Sequence, residues 1–244
     1  MRQCIQILGV AIDNLTEAEA LEHIAGYIAT GEPHQVVTIN PEFIVEARRN
    51  PAFRAVLGQA DLATPDGVGL LLAARLYGAR FRERVTGIAL VRQLAAQAAV
   101  HGWRIFLLGA APGVAERAAA TLLQENPELL VAGCYAGSPR AEEELDICQR
   151  IRIARPDLLF VAYGHPRQDL WIARNQPRLR VPVAIGVGGT FDEIAGVVRP
   201  APAWLHHLGL KWLYRLISQP QRWRRMLDAV PVFLWYVVWE RFGR

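Results

Sequence analysis

The stretch Arg104-Ile-Phe-Leu-Leu-Gly-Ala-Ala-Pro-Gly113 decides the fold. An apolar run of strand length, 104–108, passes through two glycines and a proline into a helical pattern over 112–124. A strand that is apolar at nearly every position is buried on both faces, as in a parallel sheet covered by helices. The same order recurs outward. Strand-like runs lie at 3–7, 35–39, 62–64, 129–134, 158–162 and 183–187, with helical segments between them. Thr16 and Glu19 form a T-x-x-E capping box at the start of one helix. Asn40-Pro41 pairs a cap residue with proline at the first helical position, and 139–154 and 166–175 are two further helices. The pattern predicts an α/β fold, a Rossmann-like parallel sheet covered by helices, with ligands beyond the carboxyl ends of the strands.

The alternation stops at Arg199-Pro-Ala-Pro202. Beyond it Leu205, Leu208, Trp212 and Leu216 share one side of a helical pattern, with His207, Lys211 and Arg215 on another. A second helix is predicted from Pro220, carrying Arg222 to Arg225 and ending near Trp239. The chain therefore divides into an α/β catalytic domain, 1–200, and a helical appendage, 201–244. Charge divides at the same place: residues 1–200 hold 20 Arg against 21 acidic residues, whereas 201–244 hold seven basic against two acidic. Five of the seven tryptophans also fall in the appendage. A basic, Trp-rich amphipathic end predicts docking on an anionic membrane surface.

Composition narrows the class. At 52% apolar and 20% charged over 244 residues, the chain can build a core and is not disordered. The longest apolar run, 230–239, contains Pro231 and falls short of the ~18 residues that cross a bilayer. The apolar stretch 7–12 is closed at once by Asp13, so no secretory leader is expected and the chain reads as cytoplasmic. Cys4, Cys134 and Cys148 are widely spaced and form no C-x-x-C, which speaks against disulfides and zinc. His206 and His207 are adjacent and point to different helix faces, so they make no metal pair.

Candidate chemistry sits at the strand ends. Asn40 after Thr38 reads first as a helix cap. Asp66, in Thr64-Pro-Asp-Gly-Val-Gly69, is either a turn residue or a general base at a strand end. Arg80, Arg82 and Arg84 form a basic loop that could be solvated or could pair with phosphate. The loops Gly109–Gly113 and Gly186–Thr190, which includes Gly188 and Gly189, suit close backbone approach to a nucleotide. They match neither the P-loop nor the dinucleotide fingerprint. In Tyr163-Gly-His-Pro-Arg-Gln168, Gln168 is placed to read a polar ligand, while His165 stands before proline with no orienting partner visible. No D-x-D occurs, so metal chelation of a diphosphate is not indicated and cations must come from arginines.

Together the motifs T-x-N-P-E, A-D-x-x-T-P-D-G-V-G, R-V-T-G, G-x-P-x-Q and F-D-x-x-A-G-x-x-R resemble the WecG/TagA/CpsF glycosyltransferases, glycosyltransferase family 26. They occur in order at 38–42, 60–69, 84–87, 164–168 and 191–202, the last ending R-P-A-P. The tail segment 208–216 followed by Gln219-Pro220 and Arg222 is similar to the family as well. The resemblance implies an inverting, metal-independent enzyme without a cofactor that moves a hexose or N-acetylhexosamine-type sugar. The donor is a UDP-sugar and the acceptor a polyprenyl-diphosphate-linked monosaccharide of bacterial surface polysaccharide or exopolysaccharide, reached at the cytoplasmic face of the inner membrane.

The resemblance further implies Asp66 as general base, Arg84 beside it, and Thr38, Asn40 and Gln168 in substrate binding. It also implies Arg215, Arg222 and Arg225 closing over the donor diphosphate. The loops Gly109–Gly113 and Gly186–Gly189, with Gly188 and Gly189, are candidates for holding uridine and the sugar, and Asp192 of the F-D pair is a further substrate-binding candidate. Asp169 stands where the family pattern has Glu, and Glu193 where it has an apolar residue; both bear on sugar recognition. Other readings of the residues are a Rossmann-like enzyme modifying nucleotide sugars and a non-enzymatic membrane-surface adaptor. Nucleic-acid binding through the tail suits its charge less well than a membrane does. An apolar tail away from lipid also offers a surface for a homo-oligomer.

Overall fold

The computed structural model describes residues 3–198 and 228–243. A six-stranded parallel sheet forms the centre, built from β3 (His34–Ile39), β4 (Leu62–Pro65), β5 (Arg104–Gly109), β6 (Leu130–Tyr135), β7 (Leu158–Ala162) and β8 (Val183–Gly186) in the order β4-β3-β8-β7-β5-β6. Every residue of β7 and β8 is buried, as expected of strands covered on both faces. The helices are α1 (Glu17–Thr30), α2 (Pro41–Arg49), α3 (Pro51–Gln59), α4 (Val68–Leu76), α5 (Gly87–His101), α6 (Val114–Glu125), α7 (Glu144–Ala154), α8 (Arg167–Leu179) and α9 (Thr190–Ile194). A π-helical turn, Asp228–Val232, leads into α10 (Phe233–Phe242).

Local sequence accounts for the helix starts. The Thr16 hydroxyl accepts from Glu19 N–H while the Glu19 carboxylate accepts from Thr16 N–H, completing the expected box. Asn40 accepts from the N–H groups of Glu42 and Phe43 at 2.9 and 3.2 Å. Each cap contributes about 1 kcal/mol.

The amino-terminal strand departs from expectation. β1 (Cys4–Ile7) does not join the parallel sheet but pairs antiparallel with β2 (Val10–Asp13) in a separate two-stranded sheet. The reversal passes through Leu8 and Gly9, both with positive φ, the geometry of a two-residue type I′ hairpin. Asp13 ties this hairpin to the main sheet by accepting from the Ala63 N–H at 2.8 Å.

Residues 228–243 pack on the α/β body. Phe233 and Val237 of α10 are fully buried in the cluster that holds Phe43, Leu70 and Ala73. Tyr77 donates to Glu240 at 2.6 Å, and Arg49 pairs with Asp228 at 2.9 Å. Burying two such apolar side chains contributes about 3–6 kcal/mol. Among the described residues no helix is long and apolar enough to cross a membrane.

Candidate active site

The carboxyl ends of β3, β4, β7 and β8 open into one cavity of about 420 Å³. Its position is where a sheet of this kind places ligands, and its size lies within the usual range for small-molecule sites.

Asp66 follows β4 directly. Its N–H donates to the Ile39 carbonyl at 2.7 Å, and one carboxylate oxygen accepts from the Gly87 N–H, the first residue of α5, at 3.2 Å. Gly67 then turns the chain with φ 123°, which a side chain would resist. Gly69 leaves room for α2, since a Cβ there would stand 2.8 Å from the Pro41 ring. Arg84 and Thr86 line the same cavity, and Thr86 caps α5.

The floor is made of glycines and short hydroxyls. Thr38 donates to the Gly186 carbonyl at 3.1 Å, joining β3 to β8. The Gln168 side-chain oxygen accepts from the Gly188 N–H at 2.9 Å, tying the loop after β8 to the first turn of α8. Gly186 admits no side chain: a Cβ would lie 2.5 Å from Asp169 Oδ1 and 2.6 Å from Gln168 Nε2. Asp169 itself is fully buried, and neither of its carboxylate oxygens has a hydrogen-bond partner among the described residues. Burial pushes its carboxyl up to about 8, with its own backbone and the neighbouring Gln168 amide pulling weakly the other way.

Thr38, Asn40, Asp66, Arg84, Gln168, Gly188, Gly189 and Asp192 thus share one cavity wall. Gly109 and Gly113 lie outside it. The absence of a side chain at Gly109 is explained by packing, because a Cβ there would stand 2.8 Å from the Ala162 backbone. Gly113, with φ 80°, is the residue before α6. Arg215, Arg222 and Arg225 fall outside the described residues, as do Trp204, Trp212 and Trp223.

Several wall residues escaped sequence reasoning. His165 does have an orienting partner: its Nε2 stands 3.5 Å from Glu42 Oε2, and its ring packs on Phe43 at 4.8 Å. Glu42 lies on α2 and His165 after β7, so only the fold joins them. Arg167 and Tyr163 line the same side, and Leu72, Phe233 and Leu234 form an apolar side. Asn40 both caps a helix and lines the cavity with Asp66, so the structural and functional readings of that position coexist. Among the described residues no group of three or more His, Cys, Asp or Glu side chains could hold a metal ion.

Residues 5–244 match the model of a family described as "Glycosyl transferase WecG/TagA/CpsF family". The chain is 35% identical over 199 residues to an N-acetylglucosaminyldiphosphoundecaprenol N-acetyl-beta-D-mannosaminyltransferase of Bacillus spizizenii (strain W23), covering 82% of this chain and 76% of that protein. A protein of the same name from Bacillus subtilis (strain 168) is 34% identical over 205 residues, 84% of this chain and 79% of its own. One from Staphylococcus aureus (strain MW2) is 31% identical over 237 residues, 96% of this chain and 91% of its own.

Proposed function

Because this chain belongs to the WecG/TagA/CpsF glycosyltransferase family, we propose that it transfers a hexose or N-acetylhexosamine-type sugar from a UDP-sugar to a monosaccharide linked through diphosphate to a polyprenol. Its relatives' names specify N-acetylmannosamine and N-acetylglucosaminyldiphosphoundecaprenol. That pair is the first to test for this chain.

The observation that carries the reading is the placement of Asp66. It stands at the carboxyl end of β4, inside a cavity with one apolar side (Leu72, Phe233, Leu234) and one polar side (Gln168, Gly188, Gly189). Asp66 takes the proton of the acceptor hydroxyl as that oxygen attacks the anomeric carbon. Base catalysis of this kind contributes roughly 10²–10⁴-fold. The bond from the anomeric carbon to the diphosphate breaks, its electron pair leaving on the phosphate oxygen, and the configuration inverts. Arg84 and the appendage residues Arg215, Arg222 and Arg225 stabilise the departing charge without a divalent metal. The polar side holds the nucleotide sugar, and the apolar side receives the polyprenyl end of the acceptor.

Lipid-linked acceptors stay in the membrane, so the enzyme works there as a peripheral protein. The basic appendage supplies attraction of about 1 kcal/mol per cation near an anionic leaflet. The decisive experiment measures UDP release from a panel of UDP-sugars with a polyprenyl-diphosphate-monosaccharide acceptor. Acceptor-dependent turnover with one donor is expected. Absence of turnover with every donor, from folded protein that binds vesicles, would overturn the assignment.

A further inference from the structure

The cavity contains a carboxylate–imidazole pair that the mechanism above does not use. Glu42 and His165 face each other at 3.5 Å, and their side chains are only 13% and 11% exposed. Phe43 supports the imidazole from beneath at 4.8 Å. A carboxylate beside an imidazole fixes the ring and complements positive charge on it. Taking such a pair largely out of water carries a desolvation cost, and it lines the same cavity as Asp66.

Its position relative to Asp66 is informative. Asp66 follows β4 and His165 follows β7, and β3 and β8 lie between those strands. Three strand spacings separate β4 from β7, about 14 Å. An in-line displacement needs a base on one side of the anomeric carbon and a charge acceptor on the other. Attacking oxygen, carbon, leaving oxygen and a hydrogen bond at each end together span about 10 Å. Two side chains reaching inward from β4 and β7 fit that span. The loop carrying His165 leads directly into Arg167 and Gln168 of α8, and Gln168 is bonded to Gly188 on the polar side.

We propose that His165, held by Glu42, is the leaving-group residue of the transfer, donating a hydrogen bond to the diphosphate as it departs. The acceptor hydroxyl loses its proton to Asp66 and its oxygen bonds to the anomeric carbon. The bond from that carbon to the diphosphate breaks, and its electron pair stays on the phosphate oxygen that His165 faces. No net proton passes through His165. This assignment rests on the UDP-sugar reading above and adds to it a residue role and a ligand atom.

The test is calorimetric titration of the full chain with UDP and with uridine, beside turnover. His165→Gln is expected to weaken UDP binding at least tenfold, to leave uridine binding unchanged and to lower kcat by 10²-fold or more. Glu42→Gln is expected to act in the same direction on UDP by several fold, again sparing uridine. Unchanged melting temperatures separate these effects from misfolding. Equal losses for UDP and uridine would overturn the proposal in favour of a structural role. Unchanged UDP affinity with reduced kcat would overturn it and place His165 on the sugar. A wild type that binds no UDP would remove the UDP-sugar reading itself, a different result from His165→Gln binding UDP normally.

Discussion

The Asp66 carboxylate and the Gly87 backbone N–H are joined at 3.2 Å, which couples the residue after β4 to the first turn of α5. The helix amino terminus holds one oxygen in place and favours its negative charge. The carboxylate so positioned lines the cavity. Asp66→Asn keeps an acceptor for Gly87 but cannot take a proton. It is expected to lower kcat by about 10²–10⁴-fold with little change in melting temperature. Sugar transfer assayed by UDP release checks this, and full activity in the variant would remove Asp66 as base.

Gly186 tests the floor of the site. Its missing side chain gives Asp169 and Gln168 their room, at 2.5 and 2.6 Å from where a Cβ would stand. Gly186→Ala is expected to cost about 1–3 kcal/mol through overpacking. It should also reduce turnover, because Gln168 holds the Gly188 N–H. Thermal melting and steady-state kinetics together check it.

Asp169 gives a pH prediction. Its carboxyl is raised to about 8 by burial, against an ordinary value of 3.8. Between those limits the folded protein holds a proton that the unfolded chain releases, so stability falls as pH rises from about 4 to about 8. Asp169→Asn mimics the neutral acid and removes this dependence. Denaturant melts at pH 5 and pH 8 should show the variant losing less stability than the wild type. Identical slopes would mean that Asp169 is ionised in the fold.

Much of this was legible because the signals are local. Thr16, Glu19 and Asn40 act on backbone groups within three residues, and the apolar runs of β5 and β7 report burial by themselves. That Asp66, Gln168 and Gly188 line one cavity was legible because parallel strands place their following residues at one edge. The hairpin β1–β2 was hidden in an apolar stretch whose reversal needs Leu8 in a left-handed conformation, with Gly9 the only turn signal. The Glu42–His165 pair and the wall contributed by Phe233 arise from contacts between segments far apart in sequence, which no local pattern encodes.

The two faces of α10 separate packing on the body from the proposed membrane docking. Phe233 and Val237 point into the body, whereas Trp235 and Trp239 are 62% and 59% exposed, with rings stacked at 5.8 Å. Arg241 donates to the Leu76 carbonyl, and Leu72 and Leu76 of α4 are exposed as well. Leu72 also lines the cavity, so this apolar surface reaches the site where the polyprenyl end would enter. Tryptophans at such a surface seat at the headgroup level of a bilayer. Trp235→Ser with Trp239→Ser is therefore expected to leave the melting temperature unchanged and to reduce partition onto anionic vesicles at least tenfold. Turnover should fall with a long-chain polyprenyl acceptor and persist with a short-chain, water-soluble one. Phe233→Ala, by contrast, should cost about 3–5 kcal/mol of stability. If the double tryptophan variant bound vesicles like the wild type, docking would rest on the basic residues of the appendage alone, and a steep dependence of vesicle binding on salt would then accompany it.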